Sequence, residues 1–163
     1  MVISMTKSPY VQLLLDGLQK KITVLDEIIQ KNQKQMEILS QVQVSLDDFD
    51  IIVIEKSDLI RRLEELDTGF QTTFDRVRQE MLEHKAEYAE EIKQLQHMIS
   101  VVTDKSVTIQ TMESRNKKKV EDYFQYTRKS MKQAMHINRV ASNYYNNMMS
   151  AKNNKFSGLD QKK

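Results

Sequence analysis

Residues that end helices are almost missing from this chain. Its 163 residues include three glycines, Gly17, Gly69 and Gly158, and one proline, Pro9. A fold of strands and tight turns needs many more turn residues than this. Apolar residues make up 39% and charged residues 29%, with Gln, Lys, Glu, Leu, Ile and Met prominent, which is the composition of long helices. Tryptophan is absent and aromatics are 7%, so thin helix–helix seams are expected rather than a thick core.

Periodicity divides the chain into three helices. Ser8-Pro9 starts the first, with serine as N-cap and proline at the first helical position. Val11, Leu14, Leu18, Ile22, Leu25 and Ile29 then recur every three or four residues, and Met36, Leu39 and Val42 carry the stripe to the end of a helix over 9–44. Ser45 followed by Asp47 and Asp48 is a fresh N-cap with carboxylates favoured by the helix dipole. It opens a helix over 46–83 with a stripe through Ile52, Leu59, Leu63, Leu66, Phe70, Phe74, Val77 and Met81. Residues 82–91 are polar almost all round, so nothing in them demands burial, and a turn is expected near Glu83–Tyr88. The third stripe runs from Ile92 through Leu95, Ile99, Val102, Ser106, Ile109, Asn116, Val120 and Phe124 towards Met148.

No glycine or proline interrupts residues 92–149. One helix over 88–150 is therefore expected, about 87 Å long from residue 92 at 1.5 Å per residue. Short connections make neighbours antiparallel. The expected fold is all-α: an elongated antiparallel three-helix bundle or coiled coil in one domain over 1–151, then a polar tail over 152–163. Helices one and two reach only part of the way along the third, so roughly residues 125–150 protrude without a partner from their own chain.

Charge is uneven although the net is +2. Residues 47–91 hold fourteen acids against six bases, and residues 115–163 hold twelve bases against three acids. Attraction between two helices of one molecule accounts for this better than a basic arm for nucleic acid. The lysines of Asn116-Lys117-Lys118-Lys119 diverge around a helix and have no aromatic platform between them. Asn116 itself falls on the apolar stripe, where a polar residue fixes register at some cost in stability.

Catalytic chemistry is not expected. There is no phosphate-binding glycine loop, and His84, His97 and His136 have no metal-ligand spacing. Cysteine is absent, so thiol chemistry and thiolate metal sites are excluded. Catalytic, cofactor and metal residues are accordingly expected to be none. The longest apolar run, Ile51-Ile52-Val53-Ile54, is far short of the ~20 residues that span a bilayer. MVISMTKSPY lacks the apolar stretch of a secretory leader, and a cytoplasmic location is expected.

The candidate binding surface lies late in the chain. Met131 and Met135 begin it, and Val140 and Ala141 continue it. Tyr144, Tyr145, Met148 and Met149 complete it. Flexible methionines alternating with small residues suit a groove for another helix better than an internal seam. If these residues lie beyond the bundle, Tyr145→Ala or Met148→Ala weakens partner binding more than it lowers thermal stability.

Three segments together resemble the FlgN family of flagellar export chaperones in its clostridial, Gram-positive form. They are EKSDLIRRLEELDTGF over 55–70, IKQLQHMISVVTDKSVTIQTMESRNKKKVEDYF over 92–124, and NRVASNYYNNMM over 138–149. The likeness covers residues 10–163 in order and spacing. The ending Phe156-Ser157-Gly158-Leu159-Asp160 departs from it, because the family carries an aromatic pair before that aspartate. The resemblance implies a cytoplasmic chaperone for the hook-associated proteins FlgK and FlgL. Such a chaperone binds their C-terminal helical segments, prevents premature assembly and delivers them to the type III export gate component FlhA, without hydrolysing ATP. Two readings from other classes stand beside it: a structural coiled-coil protein that homodimerises through its third helix, and a basic nucleic-acid-binding accessory protein.

Overall fold

The computed structural model of the chain describes residues 7–126 and 139–148. Three long helices pack together: α1 over Pro9–Leu39, α2 over Leu46–Glu83 and α3 over Ala89–Tyr126. A fourth, α4, spans 139–148.

Each start has a local cause. The Ser8 backbone is extended, and its hydroxyl accepts the Tyr10 N–H at 3.3 Å while Pro9 occupies the first turn. The Ser45 hydroxyl accepts the Asp48 N–H at 3.3 Å, with Asp47 and Asp48 in the positive first turn of α2. α1 stops at Leu39, short of the expected residue 44. The Ser40 hydroxyl donates to the Met36 carbonyl at 2.7 Å and its N–H to the Met36 and Glu37 carbonyls, which closes the last turn. Val42, expected on the apolar stripe, is fully exposed in the connection.

Residues 84–88 join α2 to α3, and here the sequence expectation fails in one respect. Tyr88, in a segment whose polarity demands no burial, is 0% exposed. Its hydroxyl accepts the Ser8 N–H at 2.9 Å, so the α2–α3 turn and the start of α1 hold each other. A Lys7–Glu91 ion pair closes the same end from outside.

α1 is the middle helix, packed against both α2 and α3. Its buried set, including Leu14, Leu15, Leu18, Val24, Leu25 and Ile28, is wider than one stripe because it has two neighbours to meet. Contacts fix the directions. Lys31 pairs with Glu55 and Lys21 with Asp67, so α1 and α2 run oppositely. Asp26 pairs with Lys105, and the Asn116 amide donates to Asn32 at 3.2 Å, so α1 and α3 run together. Acids of α2 thus find lysines on α1.

The long protruding third helix is the main correction. Ala141, Tyr144, Tyr145 and Met148 belong to the buried core cluster. The Tyr144 hydroxyl lies 2.7 Å from Glu113, 31 residues earlier in the chain. On one unbroken helix those residues would stand about 46 Å apart. α4 therefore lies back on the other three helices instead of extending beyond them.

Gly17 and Gly69 stand inside α1 and α2, and a β-carbon added to either meets nothing within 4 Å. Gly69→Ala is expected to raise stability by about 1 kcal/mol, through helix propensity and a less flexible unfolded chain. Urea denaturation of the two proteins measures this, and an unchanged or lower midpoint contradicts it.

Candidate partner-binding channel

With α1 behind them, α2 and α3 face each other across a trough. At one end α4 fills it. Among the described residues its other end is open, a cleft of about 1190 Å³ whose apolar lining includes Phe70, Phe74, Leu82, Ile92 and Ile99. Phe70 and Phe74 stack with ring centroids 5.9 Å apart. Both rings are half-buried, as are Ile92 and Ile99, so the cleft presents apolar surface to water. Arg78, Lys93, Glu90 and Asp104 stand at its edges.

The filled end is built on a polar layer drawn from all four helices. Lys56 of α2 is fully buried. Its ammonium donates to Gln35 Oε1 of α1 at 2.6 Å and lies 2.8 Å from Glu113 Oε1 of α3. The Tyr144 hydroxyl donates to the same Glu113 oxygen at 2.7 Å, and the Gln35 amide donates to the Tyr145 hydroxyl at 3.1 Å. The ammonium also sits 4.2 Å from the Tyr144 ring centroid, within cation–π range. Beside this layer Asn32 and Asn116 meet with both side chains 0% exposed, which places the expected register residue opposite a partner.

Burial sets the ionisation here. Desolvation pulls the Lys56 ammonium down to about 8, although Glu113 opposes it. Burial and then the Glu113 charge push both the Tyr144 and Tyr145 hydroxyls up. The second Glu113 oxygen has no hydrogen-bond partner among the described residues.

Of the residues expected to form the binding surface, Ala141, Tyr144, Tyr145 and Met148 are 2%, 3%, 7% and 9% exposed and Val140 is half-buried. They are core in this structure rather than a surface beyond the bundle. Met131, Met135 and Met149 lie outside the described residues. The sequence reading misses Lys56 and Glu113, although their signal is present. Lys56 stands between Ile52 and Leu59, and Glu113 between Ile109 and Asn116, both at stripe spacing. A charge on each of two apolar stripes, with opposite sign, marks a buried pair. Among the described residues no three His, Cys, Asp or Glu side chains gather to hold a metal ion. No helix among them is long and apolar enough to cross a membrane.

Two measurements check this layer. Lys56→Met leaves Glu113 buried and unpaired, at an expected cost of about 3–5 kcal/mol, whereas Lys56→Met with Glu113→Leu restores most of that. Chemical denaturation of both variants decides it, and equal losses contradict the pairing. The pH dependence follows from the depressed ammonium. Below pH 8 the folded chain bears the full penalty of a buried charge, and the penalty fades as pH rises towards the unfolded value of 10.5. The raised tyrosines act in the opposite sense, losing stability above about pH 10. Wild type is therefore expected to gain stability relative to the double variant between pH 8 and 10, read by denaturation at each pH. A constant difference across that window contradicts the buried ammonium.

No protein-family model, curated protein sequence or solved structure matches this chain.

Proposed function

We propose that this protein is a FlgN-like flagellar export chaperone. In this reading it works in the cytoplasm and binds the C-terminal helical segments of FlgK and FlgL. It keeps them from assembling early and passes them to the export gate through FlhA. The observation that carries the reading is the open half of the α2–α3 trough. Phe70, Phe74, Ile92 and Ile99 form a half-buried apolar lining between two helices, the form of site that takes an amphipathic helix. The sequence resemblance over 55–70, 92–124 and 138–149 supports the same reading.

The chemistry required is modest. A client helix would set apolar residues at helical spacing against these side chains, and the edge charges would orient it. The client site moves accordingly from the late tyrosines and methionines to the trough beside them.

Titration calorimetry with a C-terminal fragment of a hook-associated protein tests this. Phe74→Glu and Ile99→Glu are each expected to weaken binding roughly tenfold or more, about 1.4 kcal/mol. Melting temperatures should change little, because both positions are half-buried. No binding by the wild type, or equal binding by the variants, overturns the proposal. So does a stable homodimer that closes the trough without a client.

A further inference from the structure

We propose that α4 is a detachable occupant of a single helix-binding channel, and that an amphipathic helix from another protein displaces it to take the channel's whole length. The identity of that incoming helix rests on the chaperone reading; the channel does not.

Continuity of the channel follows from helical spacing. On α2, Lys56 and Leu63 lie at the filled end and Phe70, Phe74 and Met81 in the open half. Their numbers advance by seven or four, so they share one face. On α3, Ile92, Ile99 and Thr103 line the open half, and Ser106, Gln110 and Glu113 line the filled end. These too advance by three, four or seven. The two halves are one trough, and α4, described over 139–148, is seated in part of it. Met148, the last described residue, stands beside Leu63 and Ser106, at the border with the open half.

What α4 presents shows what the channel accepts: Ala141, Tyr144, Tyr145 and Met148, at i, i+3, i+4 and i+7. Residues 150–163 cannot continue that pattern. Ala151, Phe156 and Leu159 are their only apolar side chains, Gly158 interrupts them, and the remainder is polar. A separate helix with an unbroken stripe matches the rest of the trough better.

Three features make the seat releasable. The ten residues described for α4 are held through their contacts with the bundle, Ala141, Tyr144, Tyr145 and Met148 among them. The surface beneath it holds an ammonium, a carboxylate and an amide, and α4 itself brings two phenols, so lifting α4 returns to water groups that were costly to bury. Among the described residues one Glu113 oxygen has no hydrogen-bond partner even with α4 seated. Packing at the seam is also imperfect, with a cavity of about 190 Å³ beside Met148.

A peptide copying residues 139–149, RVASNYYNNMM, labelled with fluorescein, tests the channel on the full chain. In the wild type the tethered copy has a high effective concentration and excludes the peptide. Tyr144→Ala weakens the tethered copy, so this variant is expected to bind the peptide at least roughly tenfold more tightly. Should Tyr144→Ala fail to fold, Tyr144→Phe keeps the ring and loses only the bond to Glu113, and the same order is expected. Equal binding by variant and wild type, including none by either, overturns the proposal. A concentration-dependent dimer of the variant, seen by sedimentation, also overturns it by making a second copy the occupant. A C-terminal fragment of a hook-associated protein provides the second arm. Tighter binding by Tyr144→Ala than by wild type supports displacement. Equal or weaker binding overturns displacement and leaves the chaperone reading intact. Discrimination by the peptide with no binding of the fragment upholds the channel and removes the proposed client.

Discussion

Lys56 reaches the place where all four helices meet, and the packing of the filled end depends on how its charge is met there. Gln35 of α1 and Glu113 of α3 supply oxygens, and α4 covers the ammonium with two tyrosine rings. A buried ammonium without partners would be very costly. The polar layer therefore restricts which positions of the helices can be opposite one another. An apolar layer would have tolerated neighbouring registers at small cost, but this one demands Lys56 opposite Glu113 and Tyr144 above both.

That restriction has a consequence for binding. A central α1 with two flanking neighbours leaves an apolar trough on its far side, because α2 and α3 separately satisfy α1 and approach each other little. Among the described residues, 139–148 cover one part of this trough, and Phe70, Phe74, Ile92 and Ile99 are half-buried in the other. Exposed apolar surface between two helices is the property a helix-binding protein needs, and a polar layer under the covered part limits how firmly the cover is held.

The local grammar of the helices is legible in the residues themselves. Ser8-Pro9 and Ser45-Leu46-Asp47-Asp48 signal their helix starts through short-range hydrogen bonds and dipole effects, which depend only on neighbouring residues. Stripe residues such as Leu14, Leu25, Leu63, Val102 and Ile109 are buried as their spacing implies. Val42 misleads because periodicity continues past the point where Ser40 closes the turn. Tyr88 misleads for the opposite reason: one aromatic in a polar turn gives no period, and its burial depends on Ser8, eighty positions away.

By itself, the sequence determined that the chain is helical, where the first two helices begin, which residues form their apolar stripes, and that thiol chemistry is absent. Those properties follow from breakers, caps and spacing, all set within a few residues. Only the tertiary structure decided that α1 is central, that Lys56 and Glu113 meet, and that 139–148 lies back on the bundle. A helix with an apolar stripe buries it against whatever partner the chain can bring near. For Tyr144 and Tyr145 the partner is Gln35, Lys56 and Glu113, residues whose proximity no local pattern encodes.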